Sequence, residues 1–110
     1  MKVALICIAK FEEKYIQEFV KHYFQLGIDK IFIGDNNPGK YQPELKPLLS
    51  KWLDRGQIVI DDLQDQVIDQ VDYYDTVYQR EKNNYDWFCI FDCDEFLVLN
   101  KHKNIAEFLS

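Results

Sequence analysis

No stretch of this chain stays apolar for the roughly 20 residues that a helix needs to cross a bilayer, so no membrane span is expected. Cysteine is scarce, with Cys7, Cys89 and Cys93 the full complement. An odd number without zinc-ligand spacing argues against a disulfide scaffold and against a zinc site. Buried small residues in a reducing cytoplasm are the expectation, with Cys93 directed away from the aspartates beside it and partly exposed. Positive charge is short as well. Lysine and arginine number 13 against 19 acids, a net charge of −6. That balance argues against nucleic acid or an anionic membrane as the main partner. It also opposes an unaided site for a phosphorylated ligand, a conflict that a divalent metal resolves. Internal repeats, low-complexity tracts and flexible linkers are absent from the sequence. Met1 to Ala9 carries one lysine before a short apolar run, but no small-residue cleavage site follows. Lys10, Glu12 and Glu13 come at once, so a first strand explains the run better than a signal peptide.

What remains is a core-forming chain. Its 110 residues suit one domain, 1–110, and its 47% apolar and 15% aromatic content supplies a core. Lys2 to Ala9 is a continuous apolar run, as expected of a central parallel strand covered on both faces. Ile16, Phe19, Val20, Tyr23 and Phe24 then fall at helical spacing, and Gly27 is a natural stop. Lys30 to Ile33 reads as a second strand ending at Gly34 and Asp35, followed by the turn signal Asn36-Asn37-Pro38-Gly39. Leu45, Leu48, Leu49, Trp52 and Leu53 mark a second helix, with Pro43 in its first turn, Pro47 blurring its start and Gly56 as its cap. Ile58 to Ile60 is a third strand ending at Asp61 and Asp62. Val67, Val71, Tyr74 and Tyr78 predict a third helix running to about Asn83. Trp87 to Phe91 reads as a buried fourth strand, and Asn104 with Glu107 resembles a capping box for a short last helix. The alternation predicts an α/β fold: a Rossmann-like parallel sheet with right-handed crossovers.

The segment Phe91-Asp92-Cys93-Asp94-Glu95-Phe96 carries the most chemistry. Side chains two apart on an extended segment point the same way, so Asp92 and Asp94 are expected to project together from the strand's carboxyl end. Two such carboxylates repel unless a cation or a shared proton separates them. Hard oxygen ligands at this spacing suit Mg²⁺ or Mn²⁺, and such a metal commonly holds a phosphorylated ligand. In an open parallel sheet, ligands bind beyond the carboxyl ends of the strands. Here those ends carry Lys10 and Glu12, Asp35, Asp61 and Asp62, and Asp92 and Asp94. Glu95 reads either as a support for the metal pair or as a salt-bridge partner. His22, His102 and the Lys101-His102-Lys103 turn read as surface, and Tyr73, Tyr74, Tyr78, Trp52 and Trp87 as core or rim.

These residues resemble a known family. Lys10-Phe11-Glu12, the segment Leu26 to Asn37, Gln70 and above all Asp86 to Leu97 look like the nucleotide-binding half of GT-A glycosyltransferases, in the family 2-like and family 92-like group. The resemblance spans nearly the whole chain and implies a nucleotide-sugar donor, with uridine diphosphate sugars favoured, and Mn²⁺ or Mg²⁺. By similarity Asp92 and Asp94 form the acidic metal motif, with Asp94 the direct ligand and Asp92 facing the ribose or a metal-bound water. Asp35 would meet the nucleoside base, and Gln70 would line the donor cleft from the third helix. Lys10 and Glu12 match a Lys-Asn-Glu signature in which Phe11 replaces the usual asparagine. The resemblance also implies a glycan acceptor, with its site and any catalytic base beyond Ser110. The chain is therefore expected to be a donor-binding half: weak in nucleotide binding and in transfer on its own, and open to self-association through surface left uncovered. Two rival readings follow from the acids alone. One is a non-catalytic acidic-pocket module, receiver-like or degenerate. The other is a haloacid-dehalogenase-type phosphatase, although its motif normally opens the domain rather than following the last strand.

Overall fold

The computed structural model describes residues 1–42, 44–99 and 104–109; Pro43, the Lys101-His102-Lys103 turn and Ser110 lie outside the described residues. The elements alternate as β1 (Val3–Ala9), α1 (Ile16–Gln25), β2 (Lys30–Asp35), α2 (Leu45–Leu48), α3 (Ser50–Asp54), β3 (Ile58–Asp62), α4 (Gln70–Glu81), β4 (Trp87–Ile90) and α5 (Ile105–Leu109). The four strands form one sheet in the order β3-β2-β1-β4, and every pairing is parallel. This is the Rossmann-like α/β architecture that the alternation predicts.

Strand periodicity divides the core in two. Val3, Leu5, Cys7 and Ala9 of β1 pack on the face that also buries Ile16, Phe19, Val20 and Tyr23 of α1, Leu45, Leu49 and Ile105. Ala4 and Ile6 of β1, with Phe32 of β2, face Tyr73 and Val77 of α4. A strand covered on both faces has no polar alternation to show, which is why β1 is a continuous apolar run. Both predicted glycine stops hold. Gly27 (φ 99) and Gly56 (φ 71) take the left-handed conformation after α1 and α3. Each closes a Schellman motif, with Ile28 N–H donating to Tyr23 O and Gln57 N–H to Trp52 O, both at 3.0 Å. Asn104 caps α5 through its Oδ1, which accepts the Glu107 N–H at 2.8 Å.

Four expectations need correction. The second helix is two short ones, because Leu49 (φ −112, ψ 11) leaves the helical region between them. On α4 the buried residues are Tyr73 and Val77, while Val71 and Tyr78 are exposed and Val67 precedes the helix. Of the stripe through Val71, Tyr74 and Tyr78, only Tyr74 packs against the core, half-buried, while the other two face outward beside β4. The helix also ends at Glu81 rather than near Asn83. Lastly, β4 is not a buried strand. Among the described residues it pairs with β1 alone, at the edge of the sheet, with Trp87 44% and Ile90 49% exposed.

Candidate functional site

The chain runs outward through β1, β2 and β3, then crosses to the other side of β1 for β4. Right-handed crossovers in opposite directions put α1, α2 and α3 on one face and α4 on the other. The order therefore reverses between β1 and β4, and a crevice opens outside their carboxyl ends. It is widened because the strands stop unevenly. The ladder between them ends at the Ile6–Ile90 pair, whereas β1 continues to Ala9. Beyond that point the Cys93 thiol donates to Ile8 O at 3.4 Å and takes the place of a strand neighbour.

The resulting cleft, of about 430 Å³, is lined by Ile8, Lys10 and Glu12 from the end of β1 and by Asp92, Cys93 and Asp94 from the segment after β4. Asn36, Ile68 and Gln70 complete it, Gln70 being the first residue of α4. Five of the six sequence candidates, Lys10, Glu12, Gln70, Asp92 and Asp94, thus share one cavity. Asp35 does not. It is 8% exposed and opens into a neighbouring cavity of about 160 Å³ with Glu44, Lys46, Asp62 and Gln64. Its Oδ1 accepts the Asn37 N–H at 3.1 Å, and its Oδ2 accepts from Gln64 Nε2 at 3.3 Å.

Asp92 and Asp94 reach the cleft by a different geometry from an extended strand. Glu95 N–H donates to Asp92 O at 2.9 Å, and Asp92 N–H donates to Glu95 Oε1 at 2.7 Å. These two bonds close a turn with Cys93 pointing into the core. Cys93 is therefore fully buried, not partly exposed. Glu95 spends its carboxylate on this turn, so it supports the Asp92-Cys93-Asp94 segment and is not a salt-bridge partner among the described residues. Helix α1 holds the outgoing chain. The Tyr23 hydroxyl donates to Glu95 O at 2.8 Å and accepts the Leu97 N–H at 3.0 Å, while His22 Nε2 lies 2.7 Å from Leu97 O. His22 is thus partly enclosed against Phe96 rather than a plain surface residue.

Charge in the cleft is one-sided, three carboxylates against the ammonium of Lys10. Glu12 registers this: burial raises its pKa first, and the Asp94, Asp92 and Glu13 carboxylates raise it further. Burial also raises Asp35, against the lowering effect of its bond from Asn37. Cys7 is raised by its hydrogen bond with Cys93 and by burial, which makes the Cys7 thiol a poor nucleophile. The other strand-end acids serve the fold. Asp61 accepts from the Tyr73 hydroxyl at 2.9 Å and pairs with Arg80 at 3.1 Å, while Asp62 accepts the Gln64 N–H at 2.9 Å.

Among the described residues no three His, Cys, Asp or Glu side chains converge to hold a metal ion by themselves. Two carboxylates with open positions still match how Mg²⁺ is commonly held, by one or two carboxylates, waters and phosphate oxygens. Sequence reasoning missed Asn36 and Asn37, which read as turn formers; the Asn37 side chain ties the β2 loop to the β1 loop, and the Asn36 amide donates to Leu63 O and Gln66 O after β3. The local sequence marks them only as turn formers, because the contacts that tie the loops reach across 26 and 27 residues.

The model of glycosyltransferase family 92 matches residues 2–110. No curated protein matches the chain significantly. The match covers both walls of the cleft, from Lys10 to Asp94, and the sheet that carries them. The chain belongs to glycosyltransferase family 92.

Proposed function

We propose that the cleft between β1 and β4 is the donor site of a metal-dependent glycosyltransferase that takes a uridine diphosphate sugar, a hexose in the simplest case, and serves a glycan acceptor. The observation that supports this most is the convergence of Lys10, Glu12, Gln70, Asp92 and Asp94 at the switch point of a family 92 chain. Asp94 is the direct metal ligand in this reading. Asp92 faces the ribose or a metal-bound water. Mg²⁺ or Mn²⁺ bound there supplies positive charge where negative charge builds on the leaving diphosphate. The Lys10 ammonium adds a second positive group on the opposite wall. Gln70 offers its amide from the start of α4, and Asp35 accepts an N–H of the base from the adjoining cavity. Binding of the nucleoside by these loops holds the sugar in place. The free thiols of Cys7, Cys89 and Cys93 fit a reducing compartment such as the cytoplasm.

Isothermal titration of uridine diphosphate in the presence of Mn²⁺, with a chelator control and an Asp94→Ala variant, tests the proposal. Removal of the metal or of Asp94 is expected to weaken binding by at least about tenfold, the equivalent of about 1.4 kcal/mol. Binding that survives both changes would refute it.

A further inference from the structure

Phe11 stands at a backbone conformation that a bulky residue rarely adopts (φ 59). Its ring is half exposed and meets Tyr41 edge-on at 4.9 Å, so burial of the side chain does not explain the geometry. The backbone around it does. Asn37, only 3% exposed, accepts the Phe11 N–H on its Oδ1 at 2.6 Å. On the preceding side, Asn36 N–H donates to Ala9 O at 2.9 Å. On the following side, Glu12 O accepts the N–H groups of Tyr15 and Ile16, both at 2.9 Å, as the chain enters α1. The left-handed residue is therefore pinned from both directions, and its two neighbours, Lys10 and Glu12, are the ones that line the cleft. Asn37 is itself anchored, because its N–H donates to Asp35 Oδ1.

We propose that Asn37 is a positioning residue for the donor site, and that its side chain holds Phe11 left-handed so that Lys10 and Glu12 both face the cleft. This rests on the donor reading above. Without the Asn37 carbonyl, the Phe11 N–H loses its acceptor, and the strained residue keeps only the restraints on its two neighbours against a return to negative φ. That rotation carries Lys10 and Glu12 off the cleft wall. Strain kept at a site by a buried side chain is the pattern expected of a binding loop rather than of a plain turn. Asn37 also links the two cavities, since one residue touches both Asp35 and the loop of Lys10 and Glu12.

The test titrates uridine diphosphate with Mn²⁺ into the wild type, Asn37→Ala, Phe11→Val and the double variant Phe11→Asn/Asn37→Ala, each shown to be folded by thermal melting. Asn37→Ala is expected to weaken binding about tenfold. Phe11→Val, with a β-branched residue that avoids the left-handed region, is expected to do the same with Asn37 intact, and carries the test if Asn37→Ala does not fold. Phe11→Asn is expected to restore the double variant to within about threefold of wild type, because asparagine adopts this conformation readily. Wild-type affinity in Asn37→Ala and Phe11→Val, or a loss in Asn37→Ala that Phe11→Asn leaves unrepaired, overturns the positioning role alone. Absence of binding by the wild type overturns the donor reading, and this inference with it.

Discussion

Gly34 offers a sharp test of how the sheet is packed directly below the candidate site. It lies on β2, paired with Ile8 of β1 and Asp61 of β3, one residue before Asp35. A Cβ added there would lie 2.7 Å from Leu63 Cδ1 and 3.0 Å from Tyr73 Cε2 and Cζ. The tyrosine ring cannot yield freely, because it is buried and its hydroxyl is tied to Asp61 at 2.9 Å. Leu63 must give, or the helix must lift from the sheet. Overpacking of this kind costs about 1–3 kcal/mol, while replacing a strand glycine by alanine gives back about 0.5–1 kcal/mol of chain entropy. Gly34→Ala is therefore expected to lose about 0–2.5 kcal/mol net, centred near about 1 kcal/mol. Its melting temperature should fall by about 4–8 °C for each kcal/mol. Thermal and urea melts followed by circular dichroism measure this. Leu63→Ala removes the nearest clashing atom, so the double variant should be more stable than the sum of the two losses by at least about 0.5 kcal/mol. A Gly34→Ala protein more stable than wild type would refute the close approach. Strict additivity would refute the assignment of the clash to Leu63.

Asp35 has a folded pKa raised by burial above its ordinary 3.8, so the native state holds this proton more tightly than the unfolded chain. Its contribution to stability is fully present below that ordinary value and is lost as pH rises through the folded pKa. Urea midpoints of Asp35→Asn relative to wild type should therefore improve between pH 4 and pH 7; a difference that shrinks over that range contradicts the raised pKa. The apolar strip of Val71 and Tyr78 on α4 with Trp87 and Ile90 on β4, a sheet edge with no second partner among the described residues, should promote self-association. Sedimentation velocity should show Trp87→Lys more monomeric than wild type at high protein concentration, and an unchanged distribution would clear this edge of the role.

Much of the fold was legible because local rules and packing agree in it. The continuous apolar run of β1, the helical spacing from Ile16 to Tyr23 and the glycines at 27 and 56 each have one reading, and the structure adopts it. Where legibility failed, two faces were both apolar. Helix α4 carries Val71, Tyr74 and Tyr78 on one stripe and Tyr73 and Val77 on another. Periodicity cannot say which stripe meets the sheet. The same limit hid the exposure of β4, whose aromatic composition looks alike at a sheet centre and at a sheet edge.

The sequence by itself determined the element order, the acids at the strand ends and the resemblance carried by Trp87 to Leu97, because these depend on spacing along the chain. Only the tertiary structure decided which of those acids share a cavity. Strand order set Lys10 and Glu12 beside Asp92 and Asp94, sent Asp61 to Arg80 and left Asp35 in the adjoining cavity. It also revealed the Asn37 bond to Phe11, a contact across 26 residues on which the proposed positioning role rests. Contacts of that range depend on how the chain crosses over the sheet, and no local pattern encodes them.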